Sequence, residues 1–338
     1  MIEAFSIILI GIFITHYFEL FELPLFNKIR SIIYFRKGSD VVNQDILKRH
    51  YKGIKEATYS PVNIAQSVLV QSQQILSNKL NCPDYLIRYK GNIDVERIIK
   101  IADFFLEYGE KIKFNDIEGI VLYYNFEYND LGKKWYSGMA QGQAAEVILS
   151  AYYLTMDLKY LIGSQKILNV LRIPIESGGA LVNVNGGIWF EEYASEKNIG
   201  KSPLVLNGHL FAMDGIFWMK QILPDEWDEI YKLALNAVNT NIYKYVTFCW
   251  SRYCLTPTIA NGFYHRLHVQ QLKRIENVDK KLYKIKKYRR KFELMNYIPF
   301  GIFTRIIVSH NTMLILILVF NIVTIGIIYY LLKYFIVI

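Results

Sequence analysis

Between Tyr59 and Leu272 apolar residues recur at three- and four-residue spacings, the interval that gives a helix one apolar stripe. The pattern predicts helices at Pro61–Ser77, Val95–Tyr108, Gly138–Thr155, Asp157–Leu171, Ser202–Gln221, Asp225–Val246 and Phe263–Ile275. Start signals agree with it: Ser60-Pro61 and Pro224-Asp225 put a proline or an acid in a first turn, where N–H groups have no helical partner. Two stretches break the period. Gly119–Tyr128 (GIVLYYNFEY) and Leu181–Phe190 (LVNVNGGIWF) are rich in β-branched and aromatic residues, and the glycines of the second mark a turn. The predicted fold class is mainly α: helical pairs forming an incomplete α/α toroid with small β-hairpin insertions. A plain helical bundle is the simpler alternative.

Beyond that region the pattern loses its period and becomes uniformly apolar. Thr312 to Leu332 holds no charged residue over a length sufficient to cross a bilayer core as a helix. Ala4 to Phe18 is also uncharged but shorter, includes His16, and is followed by Glu19 and Glu22. It reads as a membrane segment and not as a cleaved leader, because no basic start precedes it and no small-residue cleavage site follows. The expected organisation is an N-terminal membrane segment (1–24), a basic linker (25–58), the toroid domain (59–275), a basic juxtamembrane segment (276–311) and a C-terminal transmembrane helix (312–334).

Composition supports two spans: 52% of the 338 residues are hydrophobic. The net charge of +9 is local, since Lys273–Glu293 contributes +7 of it. A basic run just before a span most simply acts as a topogenic signal or a contact for anionic lipid head groups, so membrane lipid is an expected partner and nucleic acid is not. Lys28, Arg30, Arg36 and Lys37 after the first segment and the Lys273–Lys291 cluster before the second predict a cytoplasmic domain between two spans. Three cysteines, Cys82, Cys249 and Cys254, are too few and too unevenly spaced for a disulfide framework or a four-ligand zinc site, and neither metal nor cofactor is expected. The 26 tyrosines and five tryptophans fit two uses: filling cores and membrane interfaces, or stacking on sugar rings.

Four segments place polar groups where solubility does not need them. In Lys134–Glu146 (KWYSGMAQGQAAE), small residues allow close backbone approach while Gln141 and Gln143 offer amides; tight helix packing accounts for it equally well. Trp189-Phe190-Glu191-Glu192-Tyr193 sets adjacent carboxylates among aromatics, where burial and mutual repulsion raise a pKa toward proton-transfer values; a solvated acidic loop is the commoner case. Asn207-Gly208-His209 stands at a helix entrance, with free N–H groups and a side-chain amide for an anionic or hydroxyl ligand, or simply as a cap. Finally, His265 and His268 share a helical face, yet no third ligand follows at metal-binding spacing; Arg252 with either histidine suits a carboxylate ligand.

These segments carry a resemblance. WYSGMAQGQAAE, the WFEEYA…LNGHLFAMDGIFW block and YHRLHVQQL resemble the C-terminal catalytic domain of the D-glucuronyl C5-epimerases, and Tyr59-Ser60-Pro61-Val62-Asn63-Ile64-Ala65-Gln66 is similar to a helix start of that family. The resemblance covers roughly Tyr59 to Ile275. It implies an isomerase that inverts C5 of glucuronate to give iduronate within a heparosan-type polysaccharide, close to the machinery that makes the polymer. It further implies that Tyr193, Tyr253 and Tyr264 transfer protons, that Glu192 is the catalytic carboxylate, and that Arg252, His265, Arg266, His268, Asn207, Gln141, Gln143, Tyr136 and Trp135 hold substrate. Where the family continues Tyr-Asp-Leu-Arg-His, this chain reads Tyr253-Cys254-Leu255-Thr256-Pro257, so Arg252, His265 and Arg266 stand in as carboxylate contacts.

The chemistry implied is demanding. C5 of a hexuronate lies α to a carboxylate, so removing its proton adds charge to an anion and requires a cationic or amide cluster. Inversion needs a base on one ring face and an acid on the other. An unperturbed phenol ionises near pH ~10, so a tyrosine base calls for a neighbouring cation, with Arg252 beside Tyr253 and His265 beside Tyr264 as the sequence-local candidates. A uronan lyase on the same scaffold and a non-catalytic membrane glycan-binding protein are the competing readings.

Overall fold

A computed structural model describes residues 2–20, 46, 48–49, 51, 54, 56–82, 91–279, 281–309 and 312–337. Lys28, Arg30, Arg36 and Lys37, and most of the expected basic linker, lie outside the described residues. In chain order the helices are α1 Ile2–Leu20, α2 Pro61–Gln66, α3 Leu69–Lys79, α4 Val95–Tyr108, α5 Gly138–Thr155 and α6 Leu158–Asn169. They continue with α7 Leu206–Lys220, α8 Pro224–Asn241, α9 Gly262–Val278, α10 Tyr283–Met295, α11 Gly301–Ser309 and α12 Thr312–Val337. The chain divides into two compact units: Ser39–Asn241 with Arg274–Tyr283, and Met1–Gly38 with Ile242–Lys273 and Lys284–Ile338.

The first unit is mainly helical and is built around α5. Ser137 caps α5 by accepting the Ala140 N–H, and its first fourteen residues, Gly138 to Ala151, are all buried. It packs against α2, α3, α4, α6 and α7. Helix α7 is likewise buried from Leu206 to Met219. The two cross closely because neither has a side chain at the crossing. A Cβ on Gly142 would lie 2.6 Å from Ala212 Cα, and one on Gly215 would lie 2.6 Å from Gly142 O. The small residues of GMAQGQAAE therefore serve helix packing.

Hairpins interrupt the helices much as the pattern predicts. Leu181–Val184 pairs with Gly187–Phe190 through a two-residue turn whose Gly186 has φ +87°, a conformation costly to other residues. The expected strand at Gly119–Tyr128 is divided: Ile117–Val121 pairs with Glu110–Phe114, while Tyr123–Tyr124 pairs with Trp135–Tyr136. Between them, Leu122 N–H leaves the ladder and donates to Gln141 Oε1 at 2.9 Å. The expected helix Pro61–Ser77 is broken at Ser67, whose N–H bonds to both Asn63 O and Ile64 O and whose hydroxyl donates to Ile64 O.

The second unit contains the two helices that, among the described residues, are long and apolar enough to cross a membrane, α1 and α12. They pack antiparallel: Lys333 Nζ meets Glu3 Oε1 at 2.9 Å at one end, and Asn321 Nδ2 donates to Thr15 Oγ1 at 2.8 Å nearer the other. Gly11 admits Ile322 to a contact that a Cβ would close to 2.5 Å. The buried stripe of α1 runs Ile7, Gly11, Ile12, Thr15, His16, Glu19 and ends at Leu20, so His16 and Glu19 face protein. Arg305 of α11 is their partner. It forms an ion pair with Glu19, hydrogen-bonds to His16 Nδ1 at 3.3 Å and lies 4.2 Å above the Trp250 ring. Glu19 Oε1 in turn accepts the Gly262 N–H at 2.8 Å, at the first residue of α9.

Candidate functional site

The nominated residues fall in both units: Trp135, Tyr136, Gln141, Gln143, Glu192, Tyr193 and Asn207 in the first, Arg252, Tyr253, Tyr264, His265, Arg266 and His268 in the second.

In the first unit the segment after the Leu181–Phe190 hairpin is fixed from three sides. The backbones of Tyr136 and Ala194 exchange hydrogen bonds at 3.0 and 2.9 Å, and Gly138 N–H donates to Glu191 O at 2.8 Å. The Glu191 carboxylate accepts the N–H groups of Tyr193 (3.0 Å) and Leu204 (3.3 Å), so it organises the segment from within, and burial raises its pKa. Glu192 is nearly buried, its Oε2 lying where a Cβ on Gly208 would be 2.2 Å away. Gly208 is thus glycine because Glu192 rests on the first turn of α7, beside buried Asn207. His209 ties the same elements together. It accepts the Phe190 N–H at Nδ1 (2.9 Å) and stacks 4.0 Å from Trp189, and burial pushes its pKa down to about 3.

Tyr193 is half-buried and continues an aromatic wall. Trp135 lies at its centre, stacked on Tyr124 at 4.0 Å and on Tyr128 at 5.3 Å, with Tyr193 5.9 Å from Tyr128. Trp135 donates to Phe126 O, Tyr136 to Gly179 O, and Gln141 to both Ile120 O and Ile167 O. All three are buried with their polar atoms bonded inside the protein. Their side chains support the wall from within, and Tyr128, unmarked by any motif, is half-buried on it.

Gln143 differs. It is fully buried, and neither amide atom has a hydrogen-bond partner among the described residues. One turn on, Glu146 accepts from Gln73 Nε2 (2.7 Å) and Trp218 Nε1 (3.0 Å), and desolvation followed by the nearby Asp214 raises its pKa strongly. Asp214 pairs with Arg274 at 2.7 Å. No spacing rule had singled out Glu146 or Asp214; the missing signal is that their helices are buried on every face.

In the second unit the chain folds back on itself between Val246 and Ala260, with bridges Val246↔Ser251 and Arg252↔Ile259. Tyr253 and Tyr264 meet edge to face at 4.8 Å, and Asn261 Oδ1 accepts the Tyr264 N–H at 2.9 Å. His265 and His268 are both 0% exposed. Phe292 O can only accept, so His265 Nε2 carries the proton of that 3.0 Å bond, and its Nδ1 accepts from Ser251 Oγ at 2.7 Å. His268 Nδ1 lies 3.3 Å from the same hydroxyl. Burial pushes both histidines down to about 3, and they are neutral at physiological pH. The cation expected beside Tyr264 is therefore not His265. Arg266 is half-buried on the same helix. Arg252 lines a separate pocket with Thr247, Phe248 and residues of α11.

Residues 115–294, just over half of the chain, match the D-glucuronyl C5-epimerase C-terminus family. The match includes each nominated residue from Trp135 to His268 and extends through most of α10. The D-glucuronyl C5-epimerase of Caenorhabditis elegans is 30% identical over 166 residues, which cover 43% of this chain and 26% of that protein. An uncharacterized protein of Methanocaldococcus jannaschii is 27% identical over 289 residues, 80% of this chain and 91% of that protein. This chain thus spans about a quarter of the nematode enzyme and nearly all of the archaeal protein. Both the residues that hold the Glu191–Tyr193 segment in place and the tyrosine pair at α9 lie within the matched span, and the chain belongs to the D-glucuronyl C5-epimerase family through its C-terminal domain.

Proposed function

We propose that this protein is a membrane-bound C5-epimerase that converts D-glucuronate to L-iduronate within a glycosaminoglycan-like polysaccharide. The observation that carries the reading is that Glu192, Tyr193, Tyr253 and Tyr264 all lie inside the segment matched by the epimerase family, because C5 inversion requires more than one proton-transfer group. Proton removal and return are assigned to the phenols of Tyr193, Tyr253 and Tyr264, and Glu192 is the assisting carboxylate. With His265 and His268 neutral, Arg266 is the cation assigned to the uronate carboxylate, where it offsets charge developing as the C5 proton leaves. Asn207 and Gln143 supply amides for hydroxyl groups. The half-buried aromatic faces of Tyr128 and Tyr193 suit stacking on a sugar ring.

The same reading makes α5 and α7, buried all round, inner helices of an incomplete α/α toroid, with amphipathic α6 and α8 outside them. It sets α1 and α12 across the membrane with the family domain on the cytoplasmic side, near the machinery that polymerises the uronan. Incubation of the purified full chain with heparosan-type and other uronans in deuterated water is the test. Deuterium at C5, iduronate in the product and unchanged chain length are expected. Unsaturated uronate ends that accumulate with time mean a lyase, and no exchange on any uronan means a binding protein.

A further inference from the structure

The second unit holds a pocket that the epimerase reading does not use. It has a volume of about 550 Å³, within the range of small-ligand sites, and is lined by Thr247, Phe248, Cys249 and Arg252 from the folded-back segment and by residues of Phe300–Val308. Its walls are mostly aromatic and aliphatic and include no acidic side chain. Arg252 is the one charged lining residue, and its guanidinium has no hydrogen bond or ion pair among the described residues. Around it, apolar side chains are left in solvent: Phe248 is 92% exposed and Ile307 69%. Exposed apolar side chains of that size on a loop and a short amphipathic helix are characteristic of a surface that enters a bilayer interface.

The location supports this. Helix α11 ends at Ser309 and α12, with its candidate span Leu314–Phe335, begins at Thr312, so the pocket borders the end of a membrane helix. The charge of Lys291 also reaches Cys249 in the pocket wall, adding a second cation to the same region. An occupant must then combine a hydrocarbon part, to fill an apolar cavity, with an anionic part, to pair Arg252.

We propose that this pocket binds an anionic phospholipid of the surrounding bilayer, with one hydrocarbon chain among Phe300, Phe303 and Ile307 and the phosphate on Arg252. The inference does not depend on the epimerase reading, since it concerns lipid retention and not turnover. Arg252 is thereby reassigned from the sugar carboxylate to a lipid head group, and the basic run of α10 lies where it adds general attraction to an anionic leaflet.

The test uses the full chain in detergent, offered phosphatidylglycerol, phosphatidylcholine or inorganic phosphate and read by native mass spectrometry. One phosphatidylglycerol per chain is expected to be retained, at least tenfold in preference to phosphatidylcholine. Arg252→Gln should abolish that preference. Thr304→Trp, which fills the pocket and leaves Arg252 in place, should abolish retention of both lipids, and an unchanged melting temperature for either variant shows that the loss is local. Unaltered phosphatidylglycerol retention by both variants, or equal retention of the two lipids by the wild type, overturns the proposal. Occupancy by inorganic phosphate that displaces the lipid also overturns it, since it reduces the site to an anion contact.

Discussion

Adjacent acids with one sequence signature have separate employments here. Glu191 accepts two backbone N–H groups, so Glu191→Leu strands them and should cost about 1–3 kcal/mol for each, read as a lower melting temperature. Glu192→Gln keeps the shape and should leave the melting temperature near wild type while C5 exchange falls by at least about tenfold; equal exchange removes Glu192 from the chemistry. Tyr193→Phe and Tyr264→Phe each remove only a hydroxyl and should lower C5 deuterium exchange by roughly two to four orders of magnitude, the usual contribution of general acid–base groups. Wild-type turnover in both eliminates tyrosine-mediated transfer. The motifs EEY and YHRLH marked the two segments in the sequence, but the partners that hold their side chains were not legible there. Gly208 yields to Glu192, and His265 bonds to Phe292 O, only because distant parts of the chain come together.

At the level of elements, the pattern located the helices, with α5 at the predicted Gly138–Thr155, but it told how side chains are oriented only where a helix has two faces. Amphipathic Val95–Tyr108 runs between the residues expected, whereas α5 and α7 are buried all round, and nothing in their spacing showed which polar residue points where. Helix α10 was hidden for a different reason. Ile285, Phe292 and Met295 form a buried stripe, but the surrounding lysines and arginines make the stretch look like a simple basic tether. The α5–α7 crossing can be probed directly: Gly142→Ala drives a methyl to 2.6 Å from Ala212 Cα and should cost about 1–3 kcal/mol in thermal unfolding. Glu19→Leu removes the partner of buried Arg305 and should cost about 3–5 kcal/mol, while Glu19→Leu with Arg305→Leu should recover much of that loss. Additive losses in the double variant mean that the two side chains act independently.

For the whole molecule, three buried neutral histidines outside the apolar helices set an acid limit. His209, His265 and His268 have an ordinary value of 6.5 and are held at about 3 in the fold, so below 6.5 the unfolded chain takes up protons that the folded chain refuses. Stability is therefore fully present above pH 6.5 and is lost progressively as pH falls toward 3. Glu146 and Glu191, whose pKa values are raised, act in the opposite sense, because their burial cost is relieved as they protonate. A melting-temperature series from pH 7 to pH 4 should fall, and His209→Gln with His268→Gln should flatten the descent. A flat wild-type series shows that the histidines are not held neutral. Charge patterning had placed the basic residues at the membrane; it was silent on buried titrating groups, since burial is a property of the assembled units.

The Glu19–Arg305 pair also has a consequence for how the protein is made. His16 and Arg305 are separated by 289 positions, and the carboxylate three residues after His16 answers to the same arginine. When α1 leaves the ribosome its polar stripe has no partner, and it gains one only after almost the whole domain has been synthesised. The pair can close only once α11 has been made. A ribosome stalled before Gly301 leaves an acid without its arginine in an apolar helix, so the fragment carries an uncompensated charge where the longer chain carries a pair.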